Sequence, residues 1–190
     1  MGRAVEAGCG GGWAAVVQLV PEPAPAWELV EQLSAADAAQ RQIAVAELRR
    51  LGAAAAPALE RGLARHDRVE VRRWCAVLLQ QHRRRASACA IVSGTHDRVA
   101  AVRLAAVQAL TDGRADSLGL DPVPLILHLA RHDRSKRVRH AAMRFLTSQL
   151  QDRRARAAVQ AVAVDPQSEP VLRRHCADAL DRMTGPRLVL

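Results

Sequence analysis

The sequence predicts an all-α, right-handed superhelical solenoid of about five stacked helical hairpins. Three observations carry that expectation. First, one string recurs. Val102-Arg103-Leu104-Ala105-Ala106-Val107 is matched place for place by Val138-Arg139-His140-Ala141-Ala142-Met143, by Val71-Arg72-Arg73-Trp74-Cys75-Ala76 and by Leu172-Arg173-Arg174-His175-Cys176-Ala177. A weaker first copy is Gln40-Arg41-Gln42-Ile43-Ala44-Val45, so the copies begin at 40, 71, 102, 138 and 172, in steps of 31, 31, 36 and 34 residues. That period belongs to arrays whose units are too small to bury their own apolar face and must stack to do so. Second, Val102, Ala105, Ala106 and Leu110 fall at helical spacing and make one apolar stripe. Third, apolar residues are 49% of the chain but aromatics only 2%, with no Tyr and one Phe. The core is therefore built from Ala, Val and Leu. Ala and Leu are strong helix formers, and β-branched alternation is absent.

Taken in order, residues 1–22 form a Gly/Pro-rich leader that offers a short edge helix over 13–20 before Pro21, Pro23 and Pro25 break it. The repeat array spans 23–183, and 184–190 is a tail. In repeat one, Trp27 to Ala35 is the first helix, Asp37 caps the second, and Gly52 stops it near Leu51. In repeat two, Pro57 sits just inside a helix start and the second helix spans about 69–82. Repeat three has helices over about 86–93 and 98–111, with Asp97 offering its carboxylate to free amides of the first turn. The connection Asp112 to Asp121, with Gly113 and Gly119, accounts for the 36-residue step. Pro122 and Pro124 open repeat four, whose second helix covers about 135–150. Repeat five uses Arg153–Val164 and about 170–183.

The formal charge is +9 and almost all of it is Arg, since Lys136 is the only lysine. It is uneven: residues 1–60 hold four Arg against seven acids, a net of −3, and residues 61–190 hold 24 Arg plus Lys against 12 acids, a net of +12. Such a half attracts nucleic acid, anionic lipid or an acidic protein, and charge alone does not choose between them. Cys9, Cys75, Cys89 and Cys176 show no Cys-x-x-Cys pairing and read as buried free thiols, which fits a reducing, cytoplasmic setting. No run approaches the roughly 20 apolar residues of a membrane span.

Helix pairs of this length, with Asp in the inter-helix turn and Val-Arg-x-x-Ala opening the second helix, resemble HEAT repeats. The short, Ala-rich form is similar to the bacterial HEAT-like repeats of phycobilisome lyases. The resemblance covers about residues 24–183 and is specific for fold, because this scaffold serves many tasks. It implies a ladder of hydrogen bonds between neighbouring repeats, from the turn Asp and an Arg about six residues later. The matching positions are Asp67 with Arg72, Asp97 with Arg103, Asp133 with Arg139 and Asp165 with Arg173. The first and last pairs depart from the six-residue spacing. It also implies a third functional reading, a helper that attaches or removes a bilin.

In HEAT arrays the second helices line the concave surface. Outward positions there carry Arg73, Leu104, His140, Arg144 and Arg174, a partly basic strip interrupted by Leu104 and by Asp178. The reading that follows is a non-catalytic scaffold or adaptor that binds a protein, possibly acidic, and works as a monomer or as a subunit of a larger assembly. The alternative is a nucleic-acid module using that strip and the Arg83–Arg85 cluster, although few aromatics are present to stack on bases. Trp74 reads as packing between helices. No catalytic residues, cofactor or metal are expected. His128 and His132 are four apart but lack a third ligand, and His66, His96 and His132 read as turn residues.

Overall fold

A computed structural model describes residues 24–110 and 119–184. The leader with its edge helix, most of the 112–121 connection and the apolar tail 187–190 lie outside the described residues. Within them the chain is helical throughout, in five hairpins: α1 (Ala24–Gln32) with α2 (Ala38–Leu51), α3 (Ala56–Arg65) with α4 (Val69–Leu79), α5 (Arg85–Gly94) with α6 (Ala100–Leu110), α7 (Val123–His132) with α8 (Lys136–Ser148), and α9 (Arg153–Val164) with α10 (Pro170–Thr184). A short 3₁₀ turn, Gly52–Ala55, joins the first hairpin to the second. The sequence reading let α2 stop at Gly52 and missed this turn. Gly52 does close the helix, with φ 54° and its N–H donated to the Arg49 carbonyl, a backbone that only glycine adopts without strain.

The helix starts follow elementary chemistry. Asp37 accepts a hydrogen bond from the Ala39 amide and Asp152 from those of Arg154 and Ala155, satisfying donors that the first helical turn leaves unpaired. Proline stands in the first turn of α3 and α7, where its missing N–H costs nothing. The first helix of repeat one begins three residues earlier than Trp27, at Ala24, and α4 ends at Leu79 rather than near 82.

Each hairpin packs its two helices on each other, and each second helix also touches the second helix of the next hairpin. First helices also pack on each other between hairpins one and two, two and three, and four and five. One continuous apolar core threads the array, from Ala26 and Val30 through Leu59, Val71, Val102, Ile126, Phe145 and Leu146 to Val159, Cys176 and Ala179. Phe145 is 1% exposed, so truncating it to Ala would cost about 3–5 kcal/mol. Small residues set the spacing of the hairpins. A Cβ on Gly62 of α3 would lie 2.7 Å from the Cys75 sulfur of α4 and 3.0 Å from Val30 Cγ1 of α1. Buried polar groups are paired: the Thr95 hydroxyl donates to the Val92 carbonyl at 2.7 Å, and the Ser87 hydroxyl to Glu60 Oε1 at 2.6 Å.

Gly62→Ala is therefore expected to destabilise the chain by about 1–2 kcal/mol, the overpacking strain exceeding the gain in helix propensity. Urea unfolding followed by circular dichroism measures it. An unchanged or raised midpoint would show that the three helices are not in close contact at this point.

Candidate functional site

The polar chemistry of the array gathers at the inter-helix turns. Arg72, one turn into α4, folds back so that Nη1 donates to the His66 and Asp67 carbonyls at 2.8 and 2.9 Å. Its other edge reaches the next hairpin: Nε donates to Asp97 Oδ2 at 2.7 Å and Nη2 to Oδ1 at 3.2 Å. Asp97 in turn accepts the Val99 amide at 2.7 Å and so starts α6. Arg103 repeats the arrangement. It donates to the Asp97 and Arg98 carbonyls of its own turn at 2.9 and 3.2 Å, and to both oxygens of Asp133 at 2.7 and 2.8 Å. Asp133 accepts the Ser135 amide at 2.7 Å. One guanidinium thus fixes its own turn and the start of the next hairpin, using the forked donor geometry particular to arginine.

These clasps are shielded. The side chains of Arg72 and Asp97 are 6% and 11% exposed, and those of Arg103 and Asp133 are 15% and 3%. Burial pushes the Asp97 carboxyl upward, but the Arg72 hydrogen bond, the Val99 amide and the neighbouring positive charges outweigh it and hold the group below the ordinary carboxylate range. For Asp133 the Arg103 hydrogen bond dominates, and the net displacement is also downward.

The outer boundaries are built differently. Between hairpins one and two, Arg41 clasps only its own turn, donating to the Ala35 and Ala36 carbonyls. Asp67 supplies its carbonyl to Arg72. The link here is His66: its Nδ1 accepts the Arg68 amide at 3.0 Å, so its Nε2 carries the proton and donates to Glu31 at 3.2 Å. Arg68 also donates to the Ser34 hydroxyl at 3.0 Å. Between hairpins four and five the expected Asp165 is replaced. Arg139 donates to the Asp133 carbonyl at 3.0 Å, and its Nη2 lies 3.8 Å from Glu169 Oε1. Glu169 also takes Lys136 at 2.6 Å and His140 at 2.9 Å. Asp165 stays local, accepting the Gln167 amide and the Ser168 hydroxyl, each at 2.9 Å, and Arg173 donates to the Pro166 carbonyl. The longer turn before α10 moves Asp165 away from the join and brings Glu169, the residue before Pro170, into it. The ladder expected from the sequence does not include Arg41 or Glu169. Arg41 was recoverable from its alignment with Arg103, and Glu169 only from its place at a helix start.

The outward face of the second helices does not present one basic strip. Arg73, Arg144 and Arg174 are exposed, with the Arg73 guanidinium 5.3 Å from the Trp74 ring centroid. Leu104 is half-buried against the core, as is Trp74. His140 is half-buried and engaged by Glu169. Arg83 and Arg84 stand apart from this face and line a cleft of about 400 Å³ with Arg49, Leu48, Leu59 and Leu78. Arg84 lies 3.6 Å from Glu60, whose carboxyl burial pushes up against the opposing Ser87 hydrogen bond and the Arg84 charge. Among the described residues no three His, Cys, Asp or Glu side chains are grouped to hold a metal, and His128 and His132 meet only each other's rings, 4.9 Å apart. Cys75, Cys89 and Cys176 are buried and form no disulfide among the described residues, and burial raises the Cys176 thiol to about 11. No described helix is long and apolar enough to cross a membrane.

This architecture defines an α-solenoid of HEAT-like hairpins. No protein-family model matches the chain and no curated protein sequence matches it. Among solved structures it is similar to the complex of CpcE and CpcF of phycocyanin lyase from Nostoc sp. PCC7120. The match has a TM-score of 0.67 at 17% identity, and covers 83% of this chain and 99% of that one. At that identity the likeness is one of fold.

The depressed Asp97 and Asp133 carboxyls predict a pH dependence. The unfolded chain takes up these protons near the ordinary value of 3.8, before the folded chain does. The stability they contribute is thus complete above that value and is lost as pH falls through the lower folded values. Urea midpoints from pH 6 to pH 2.5 measure it, and Asp133→Asn is expected to be less stable at pH 6 and to show a shallower acid decline. An equally steep decline in Asp133→Asn would show that the clasp is not its source.

Proposed function

We propose that the chain is a non-catalytic helical-repeat subunit of a lyase-type assembly, one that grips a protein partner on the solvent face of its second helices. The observation that carries this is the likeness to a chain of the CpcE–CpcF complex, which it matches over nearly that chain's whole length. A general adaptor has the same fold, but the likeness favours the narrower reading: a chaperone-like helper for a bilin-bearing protein. A nucleic-acid module has less support, because the outward strip is broken by half-buried Leu104, by the His140–Glu169 pair and by exposed Asp178. Buried cysteines outside any disulfide support a cytoplasmic setting.

Leu104→Glu is the discriminating variant. It sits mid-array, on an apolar outward position, and introduces a charge that an apolar contact surface would have to desolvate. Affinity capture from extract of the source cells is expected to recover a partner with the natural chain and to lose it at least tenfold with Leu104→Glu, at unchanged helicity. Equal recovery by both would remove this face from the reading. A free bilin mixed with the recovered complex is expected to give a coloured species that co-elutes on gel filtration. A colourless complex would leave the protein-binding subunit and remove the bilin.

A further inference from the structure

Exposed arginines flank the contact between α8 and α10. Thr147 of α8 and His175 of α10 meet there, with 3.2 Å between Oγ1 and Nε2. The Thr147 hydroxyl spends its proton on the Arg144 carbonyl at 2.8 Å, so it can only accept from the ring. His175 therefore donates its Nε2–H, and Nδ1 is the position left to titrate. Arg144 stands one turn before Thr147 on α8. Arg182 stands two turns after His175 on the same side of α10. Both are exposed, and among the described residues neither guanidinium is held by a hydrogen bond or ion pair. Burial lowers the tendency of His175 to protonate, and the charges of Arg144 and Arg182 lower it further, opposed only by Asp178. The third element packed here, α9, brings apolar Ala155, Ala158 and Val159 to the shared core.

We infer that Arg144, His175 and Arg182 form a binding site for a pair of carboxylates on an acidic segment of a protein partner. This rests on the protein-binding reading above and adds the partner's chemistry. Two guanidinium forks and one imidazole match carboxylates in charge-assisted hydrogen bonds. The patch is also short. Asp178 lies one turn before Arg182 on α10. Toward the start of α10, Glu169 already occupies Lys136, Arg139 and His140. A nucleic-acid backbone needs a longer run of aligned cations, whereas an acidic peptide needs one such patch. A bound carboxylate favours the charged imidazolium, so His175 takes up a proton at Nδ1 as the partner docks, and binding tightens as pH falls from 7.5 to 6.

The test uses the full chain and a fluorescein-labelled twelve-residue peptide rich in Glu and Ala, followed by fluorescence anisotropy at two salt concentrations. Arg144→Gln with Arg182→Gln is expected to loosen binding at least tenfold, while Arg49→Gln, on the distant first hairpin, leaves it unchanged. Histidine ring NMR is expected to show the His175 titration moving upward when peptide is bound. Circular dichroism of both variants separates a lost site from a lost fold. Equal binding by the double variant, a His175 titration that peptide does not move, or a single-stranded oligonucleotide of equal charge that displaces the peptide at lower concentration would each overturn the inference. If the peptide fails to bind while capture through Leu104 persists, the acidic-partner inference falls and the protein-binding subunit stands.

Discussion

The structure depends on an arginine that serves two hairpins at once. Arg72 and Arg103 each hold the carbonyls of their own turn and the carboxylate that begins the next second helix. An Ala- and Val-rich core gives close contact but little directional information, since small side chains interdigitate in more than one register. The clasp supplies the missing direction. It is shielded enough that removing one partner would strand a charge, and both of its ends are tied to backbone, so a slip of one hairpin would break several hydrogen bonds together. Apolar burial drives the stacking, and the clasp fixes where each hairpin sits.

This division of labour explains how much of the fold was readable from the chain. The string Val-Arg-x-x-Ala marks both the buried stripe and the clasping arginine, so five hairpins, their order and most helix ends followed from it. Arg153–Val164 matches the expected span, and other ends moved by a few residues, where turns and helix termini compete for the same hydrogen bonds. The clasp was readable where the spacing from Asp to Arg is six, at Asp97 and Asp133. It was not readable at the ends, where turn length changes. At one end Arg41 stays on its own turn and His66 donates to Glu31 instead; at the other Glu169 takes over the role of the aspartate.

The binding face was less readable, for a physical reason. Sequence places Arg73, Leu104, His140, Arg144 and Arg174 on one side of their helices, but says nothing of which are already occupied. Glu169 engages His140 from 29 positions away, a contact that only the stacked hairpins create. What remains is exposed Arg73, Arg144 and Arg174, with a half-buried Leu104 in the middle of the array. In the function proposed above, this is the face that meets another protein. Rigid stacking is what such a face requires, because contacts spread over several second helices survive only if those helices hold their relative positions.

The most direct test of that account is a double-mutant cycle on Arg103 and Asp133, using Arg103→Ala, Asp133→Ala and the pair, with stability from urea unfolding at pH 7. A register-fixing clasp predicts a coupling energy of about 1.5 kcal/mol or more between the two side chains, with each single change costing about 2–4 kcal/mol. A coupling below about 0.5 kcal/mol would place the pair with ordinary surface ion pairs. The hairpins would then be held by apolar burial alone, contradicting the role given to the clasp.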